Sequence, residues 1–352
     1  MQQRTNIVYL YPKRFAFVGK DIEALSSTFT VLEHRFDRGG KWMLPWSFFI
    51  QFLWLLPKRF SRTRDVFVHF AGYHAMVPVL LGFRTHIIVA GSDACSFPAI
   101  DYGNFRKPVL SRCIGFAMRG ARTILPVHAS LSYFSNTYSD LGPTEQGFAH
   151  FVRGLRTPVE PIPYGFDSAF WRRDPSVEAH RSGLLCVAAG ARYGDPVFFR
   201  KGLDLILSVA SYLPEVNFTI VGAEDPGTYP KVPNVVVLGR VAPDQLKELL
   251  GRCSIYCQVS VMEGFPNALC EAMLMGCLPI VSAVTSMPEI VEGLGKVVHA
   301  RDAKLLEARI LEWMQVSGPV AQDLRDKVRK RIKERYTLNA RMHELAALVA
   351  QA

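Results

Sequence analysis

Hydrophobic and polar positions alternate between two kinds of run along the whole chain. Short runs rich in β-branched residues read as strands: NIVYLY (6–11), FTVLEH (29–34), DVFVHF (65–70), THIIVA (85–90) and RTILPV (122–127) in the first half. In the second half they are LLCVAAG (184–190), NFTIVG (217–222), NVVVLG (234–239), SIYCQVS (254–260) and LPIVSA (278–283). Longer segments with helical spacing separate them. Apolar strands alternating with helices predict parallel sheets covered on both faces. Two such series predict an α/β protein with two doubly wound, Rossmann-like domains. The join is VEPIPYGFDSAF (159–170), rich in Pro, Gly and turn residues, followed by the polar stretch WRRDPSVEAHRSG. This places a first domain at 1–163 and a second at 164–337. In the tail, 325–352, Val328, Ile332 and Tyr336 recur at spacing four with basic residues between them. The pattern predicts a charged surface helix and then a last apolar helix, 338–352, docking back on the first domain.

One stretch has two readings. WMLPWSFFIQFLWLLP (42–57) is uncharged and flanked by Lys41, Lys58 and Arg59. It contains Pro45 and is shorter than the roughly 20 apolar residues of a spanning helix. The first reading is a crossover helix buried against the sheet. The second is an aromatic edge that lets this half of the protein sit on a membrane surface.

Composition narrows the function classes. About half of the 352 residues are apolar and a fifth are charged, which suits a two-domain globular protein. The net charge is +10, and residues 1–165 hold 19 Lys and Arg against 10 Asp and Glu, whereas 166–352 hold 22 against 21. A basic first half attracts nucleic acid, anionic lipid or phosphorylated substrates. No helix-turn-helix, zinc or RNA-recognition signature accompanies it, so nucleic acid is the remote alternative and no such partner is expected. Seven scattered cysteines without a C-x-x-C pair argue against a disulfide framework or a zinc site and for a reducing cytosol. The N-terminus has no charged segment followed by an apolar run and a cleavage site, so no signal peptide is expected. The location read from this is cytoplasmic, with the inner face of the membrane as the peripheral variant.

Ligands of open parallel sheets bind beyond the carboxyl ends of the strands. The loop in AAGARYGDPVFFRKGLDLIL (188–207) carries Arg192, Arg200 and Lys201, cations suited to a diphosphate. In EGFPNALCE (263–271) a turn at Gly264–Pro266 leads into a helix start, whose unpaired N–H groups suit anions and hydroxyls. Glu263 and Glu271 flank it, and ionised carboxylates accept hydrogen bonds from sugar diols. Glu271 also has a plainer reading, a favourable charge in the first turn of the helix. SMPEIVEG (286–293) reads as an ordinary Pro-Glu helix start.

Together these pieces resemble the family-4 glycosyltransferases of the GT-B fold, retaining enzymes that include those of bacterial surface-polysaccharide assembly. The resemblance rests first on EGFPNALCEAMLMGCLPIVSAVTSMPEIV. RYGDPVFFRKG, IPYGFD and LGRVAPDQLKELLGRCSIYCQVS support it. It implies two Rossmann-like domains facing across a cleft and transfer of a sugar from a nucleotide-sugar donor, with retention, to a saccharide or lipid-linked acceptor. By the same resemblance Arg192 and Lys201 hold the diphosphate, Glu263 meets the donor sugar and Glu271 holds the ribose. The backbone of Gly264, Phe265, Pro266 and Asn267 lines the pocket, with Ala268 and Leu269 close by, and Val241 lies near the base. Gly19 and Lys20 replace a fuller glycine-rich first loop. Asp93 is assigned to the donor sugar or acceptor and His74 to the acceptor side. Ala90 stands where many members have a histidine. No Asp-x-Asp occurs in the sequence, so no metal and no cofactor are expected. A sugar-nucleotide epimerase or phosphorylase is the alternative on the same fold.

Overall fold

The computed structural model describes residues 4–36, 39, 41–61, 63–173 and 181–350. Part of the polar stretch after the linker, 174–180, lies outside them. The first sheet is parallel and has five strands: β1 (Asn6–Tyr11), β2 (Thr30–Arg35), β3 (Asp65–His69), β4 (Arg84–Val89) and β5 (Thr123–Pro126). Their order is β2-β1-β3-β4-β5. A two-stranded ribbon, β6 (Phe134–Ser135) and β7 (Glu145–Gln146), follows. The second sheet has six parallel strands: β8 (Ser182–Val187), β9 (Phe218–Val221), β10 (Val235–Leu238), β11 (Cys253–Gln258), β12 (Leu278–Ser282) and β13 (Lys296–Val298). Their order is β10-β9-β8-β11-β12-β13. The ribbon and the three-residue β13 were not legible in the sequence, because runs so short carry no periodicity.

The order reverses between β1 and β3 in the first sheet and between β8 and β11 in the second. Loops leaving neighbouring strands at such a reversal diverge to opposite faces and open a crevice between them. Both sheets are sandwiched by helices. These are α1 (Ala16–Ser26), α2 (Leu44–Arg59), α3 (Met76–Leu80), α4 (Pro108–Gly120) and α5 (Phe148–Phe151) in the first half. The second half has α6 (Pro196–Arg200), α7 (Leu203–Tyr212), α8 (Pro243–Arg252), α9 (Asn267–Leu274), α10 (Met287–Val291), α11 (Ala303–Met314), α12 (Gly318–Arg335) and α13 (Leu338–Ala350). The strands are apolar throughout because both faces are covered: β3 is buried along its length, as is β12.

The tail helix starts earlier than its charge pattern suggests, at Gly318; Ala321, Arg325, Val328 and Ile332 are its buried stripe, and Tyr336, just past its end, is buried too. α13 then returns to pack on α1. Arg341 on α13 meets Asp21 on α1 at 2.6 Å, with both side chains almost wholly buried. Its Nη2 also donates to Asp21, and its Nη1 donates to the carbonyls of Ile162 and Pro163 in the linker. Burial opposes the Asp21 charge, but Arg341 outweighs it and holds the carboxyl below its ordinary range. One buried ion pair thus ties the last helix, the first helix and the linker together.

The buried reading of 42–57 needs correction. α2 is the crossover between β2 and β3, yet within it only Gln51 and Leu55 are buried, while Trp42, Trp46, Phe49, Ile50 and Leu53 are exposed. The helix is apolar on all sides, and the domain is broad enough to cover only one of them. Among the described residues no helix is long and apolar enough to cross a membrane. All seven cysteines are free thiols.

Candidate active site

The second-domain site begins at the reversal between β8 and β11. After β8 the chain crosses a loop and forms the short α6, whose N-terminus is capped by Asp195 accepting from Phe198 N at 2.7 Å. Gly202, at φ 69°, then lets the chain turn at once into α7. A Cβ there would overlap the Val259 carbonyl oxygen. This close approach sets Lys201 beside the end of β11. Lys201 Nζ lies 2.6 Å from Glu263 Oε1, and Gln258 Nε2 donates to the same oxygen at 2.9 Å. Burial works against the Glu263 charge, but Lys201 and Arg200 outweigh it and hold the carboxyl below its ordinary range. Glu263 is therefore an ionised acceptor at neutral pH.

Arg192 and Arg200 divide differently from the expectation. Arg192 pairs with Glu224 at 2.9 Å, and its side chain is 61% exposed. Arg200 instead acts on Glu263 and stacks over the Tyr102 ring of the first domain, 4.6 Å from its centroid. The cations gathered around Glu263 are Lys201 and Arg200. Adjacency to Lys201 was the signal that could have singled out Arg200 in the sequence.

The turn after Glu263 presses against the first domain. A Cβ on Gly264 would overlap the Ala90 carbonyl oxygen, and Gly91 faces it with φ 130°. Position 90, where the histidine is missing, is thus a main-chain contact between the domains. Gly264→Ala should push the two apart and lower turnover by about tenfold, since small displacements of reacting groups are costly. Steady-state kinetics at saturating substrate would measure it, and unchanged kcat would refute the contact's importance.

Phe265 turns away from the cleft. It is buried against Tyr164, Phe166 and Tyr336, so its side chain anchors the turn to the linker. Leu269 is fully buried in the core. Pro266 occupies the cap position of α9 and Asn267 the first helical residue. The N–H groups of Asn267 and Ala268 lie at the open end of that helix. Asn267 Oδ1 is buried with no hydrogen-bond partner, an acceptor fitted to a ligand's donor. Because α9 begins at 267, Glu271 lies in its second turn, which removes the first-turn-charge reading. Burial pushes the Glu271 carboxyl up to about 7, opposed by Lys20 reaching from the first domain. Thr285 is a site residue the sequence reading missed. It sits at φ 41° and its hydroxyl donates to the Glu263 carbonyl at 2.6 Å, fixing the turn from behind. Val241 lies beyond β10, just before α8.

On the first-domain side two assignments change. Gly19 and Lys20 sit inside α1, which already starts at Ala16, so they belong to a helix and not to a glycine-rich loop. Asp93 is fully buried, and its carboxylate accepts from the N–H groups of Ala71, Ala90 and Gly91 at 2.7–3.0 Å. It holds two loops together and does not reach a ligand, because burial among backbone donors satisfies it. Burial also pushes its carboxyl up to about 6, against the pull of those donors. His74 is buried, with Nε2 2.9 Å from the His69 carbonyl oxygen. It lines a cavity of about 410 Å³ together with Lys13, Phe15, Phe36, Phe70 and Ser92. That cavity lies where the loops after β1 and β3 diverge, and Phe70 is strained at φ 64°. Among the described residues no group of three His, Cys, Asp or Glu could hold a metal ion.

Residues 182–316 match the family described as glycosyl transferases group 1. The match covers the EGFPNALCE turn and bears out the coarser part of the resemblance read from it, that to a glycosyltransferase. The chain is 35% identical over 91 residues to the colanic acid biosynthesis glycosyltransferase WcaL of Salmonella typhimurium. That stretch is 25% of this chain and 22% of WcaL, so the chain spans less than a quarter of that relative. Sucrose-phosphate synthase from Thermosynechococcus elongatus superposes with a TM-score of 0.74 at 14% identity, over 99% of each chain. Anabaena HepE, solved with UDP and glucose, gives 0.72 at 14% identity, over 99% of this chain and 100% of its own. The fold is GT-B: two parallel-sheet, Rossmann-like domains, as in these structures.

Proposed function

We propose that the protein is a glycosyltransferase that moves a sugar from a nucleotide-sugar donor, held mainly by the second domain, to a saccharide or lipid-linked acceptor entering from the first. Transfer proceeds with retention and without a metal. The observation that carries this reading is the grouping of Lys201 and Arg200 around ionised Glu263 at the reversal of the second sheet. HepE's complex with UDP-glucose supports a donor of this class.

As the glycosidic bond to the diphosphate breaks, the sugar ring gains oxocarbenium character and negative charge grows on the departing phosphate. Lys201 and Arg200 are fixed cations that meet that charge, each worth roughly 3 kcal/mol by analogy with oxyanion donors. They take the part a divalent ion plays in enzymes that carry Asp-x-Asp. The open end of α9 receives the diphosphate. Glu263 orients the donor sugar through its hydroxyls, and Glu271 accepts from the ribose diol. Arg192, on its exposed loop, exchanges Glu224 for the outer phosphate oxygens. The acceptor enters through the cavity lined by His74 and Lys13. The free cysteines suit a reducing compartment, and we place the reaction in the cytoplasm.

A thermal-shift panel of nucleotide sugars tests the reading, because a ligand bound to the native state raises the melting temperature. One donor should raise it, and nucleoside diphosphate release should then require acceptor and persist in excess chelator. Release dependent on Mg or Mn would overturn metal independence. Interconversion of the donor without acceptor would assign an epimerase.

A further inference from the structure

The face of α2 left open is a patterned surface. Phe48, Gln51 and Leu55, at spacings of three and four, pack on the domain. Gln51 Nε2 donates to the His74 carbonyl at 2.9 Å, and Phe48 meets Phe36 and Tyr73 edge-on. Trp46, Phe49 and Leu53 repeat the same spacings two residues out of step, which is roughly 200° around the helix, and Trp42 joins them from the turn just before it. Their exposures run from 48% for Phe49 to 95% for Trp42, and Ile50, Phe52 and Phe60 extend the patch. Contiguous apolar surface of this kind marks an interaction site.

Charge chooses the occupant. Between residues 35 and 64 the sequence holds seven Lys and Arg and one Asp. None of these charges falls between 42 and 57, so they flank the aromatic stretch in the sequence without interrupting it, and Lys58 and Arg59 stand in the last turn of α2 beside it. Lys58 stacks over the Trp54 ring at 3.5 Å, an arrangement in which an aliphatic stem lies along apolar surface and the ammonium sits at its edge. Tryptophan and phenylalanine flanked by cations match the boundary between acyl chains and anionic headgroups. A second copy of the chain fits less well, because two-fold pairing of this face would set the flanking cations of two copies against each other.

We propose that this face seats on an anionic lipid bilayer, with α2 lying in the plane of the interface and Trp42, Trp46, Phe49 and Leu53 inserted at headgroup depth. The helix is about 24 Å long and lies along the surface without crossing it. Phe36, which meets Phe48 on the inner side of α2, also lines the first-domain cavity. Docking therefore brings the mouth of that cavity to the lipid surface. This contact is independent of the glycosyl-transfer reading, since it involves no residue of the donor site.

Vesicle partitioning of the full chain tests it without any nucleotide. The protein should sediment with vesicles of phosphatidylglycerol and phosphatidylcholine far more than with phosphatidylcholine alone. Raising salt from about 0.05 to about 0.5 M should weaken the attraction of the flanking cations. Brominated lipid should quench tryptophan emission, a readout that needs no variant. Trp46→Glu with Leu53→Glu should lower partitioning by about tenfold or more, with the melting temperature and donor binding unchanged. Three results would overturn the proposal: no partitioning onto anionic vesicles, partitioning unaffected by the two substitutions, or a dimer of the wild type that they dissociate.

Discussion

Lys201→Met should lower kcat by about 10²–10³-fold, the loss seen when one fixed group opposing developing charge is removed. The substitution keeps the length of the side chain and deletes the charge that sits 2.6 Å from Glu263. Both partners are largely buried, at 14% and 11% exposure. Removing one leaves the other as an uncompensated charge in the interior, a loss of roughly 3 kcal/mol. Arg200 and Gln258 remain and moderate it. Glu263→Gln placed on top should recover much of that stability, because the stranded charge disappears, and should recover none of the turnover. The double-mutant cycle therefore separates the two roles of Lys201. A single variant whose kcat stays within about threefold of the wild type would remove Lys201 from the proposed chemistry.

Glu271→Gln should weaken donor binding by about 10²-fold and yet stabilise the empty protein at alkaline pH. The sign follows from the carboxyl's position. Burial raises it from the ordinary glutamate range to about 7 in the folded state. A group raised on folding contributes stability that is fully present below its unfolded value and is lost as pH rises through the folded value. The wild type should therefore lose about 2 kcal/mol between pH 5 and pH 8, allowing for the part of the side chain that water reaches. The glutamine variant has no proton to lose, so at pH 8 it should melt a few degrees higher and at pH 5 at nearly the same temperature. Donor binding should run the other way. A ribose diol needs acceptors, and only the ionised carboxylate offers acceptors alone. Wild-type affinity for the nucleotide sugar, whose diphosphate does not titrate here, should rise from pH 6 to pH 8, and the variant's should stay flat. A variant that melts lower at pH 8, or that binds donor as tightly as the wild type, would contradict this.

The two glutamates were legible in EGFPNALCE because chemistry and chain direction coincide there. A strand, a turn with Gly and Pro and a helix start can be read locally, and the carboxylates lie on either side of that turn. Lys201 was legible for the same reason: Arg-Lys-Gly precedes an apolar helix. Which arginine works beside it was not. Arg192 and Arg200 lie in one loop, and the short α6, capped by Asp195 and ended by Gly202, decides that Arg200 faces Tyr102 while Arg192 faces Glu224. Asp93 failed as a ligand residue because its sequence neighbours gave no sign that three backbone N–H groups converge on it. Where the Phe265 ring goes was not legible either, because its partners, Tyr164 and Tyr336, come from segments about 100 and 70 residues away.

By itself the sequence determined all but the last strand of the two main sheets, their parallel sense and the turn that carries the glutamates. These depend on periodicity and backbone preference, which are local and survive in any window of a few residues. The tertiary structure decided which face of α2 stays bare, which cation joins Glu263 and where the domains touch at Gly91 and Gly264. Those outcomes depend on how much area the sheet can cover and on which side chains from distant segments arrive at one point. A helix apolar on every side, such as 42–57, carries no record of which side will be covered.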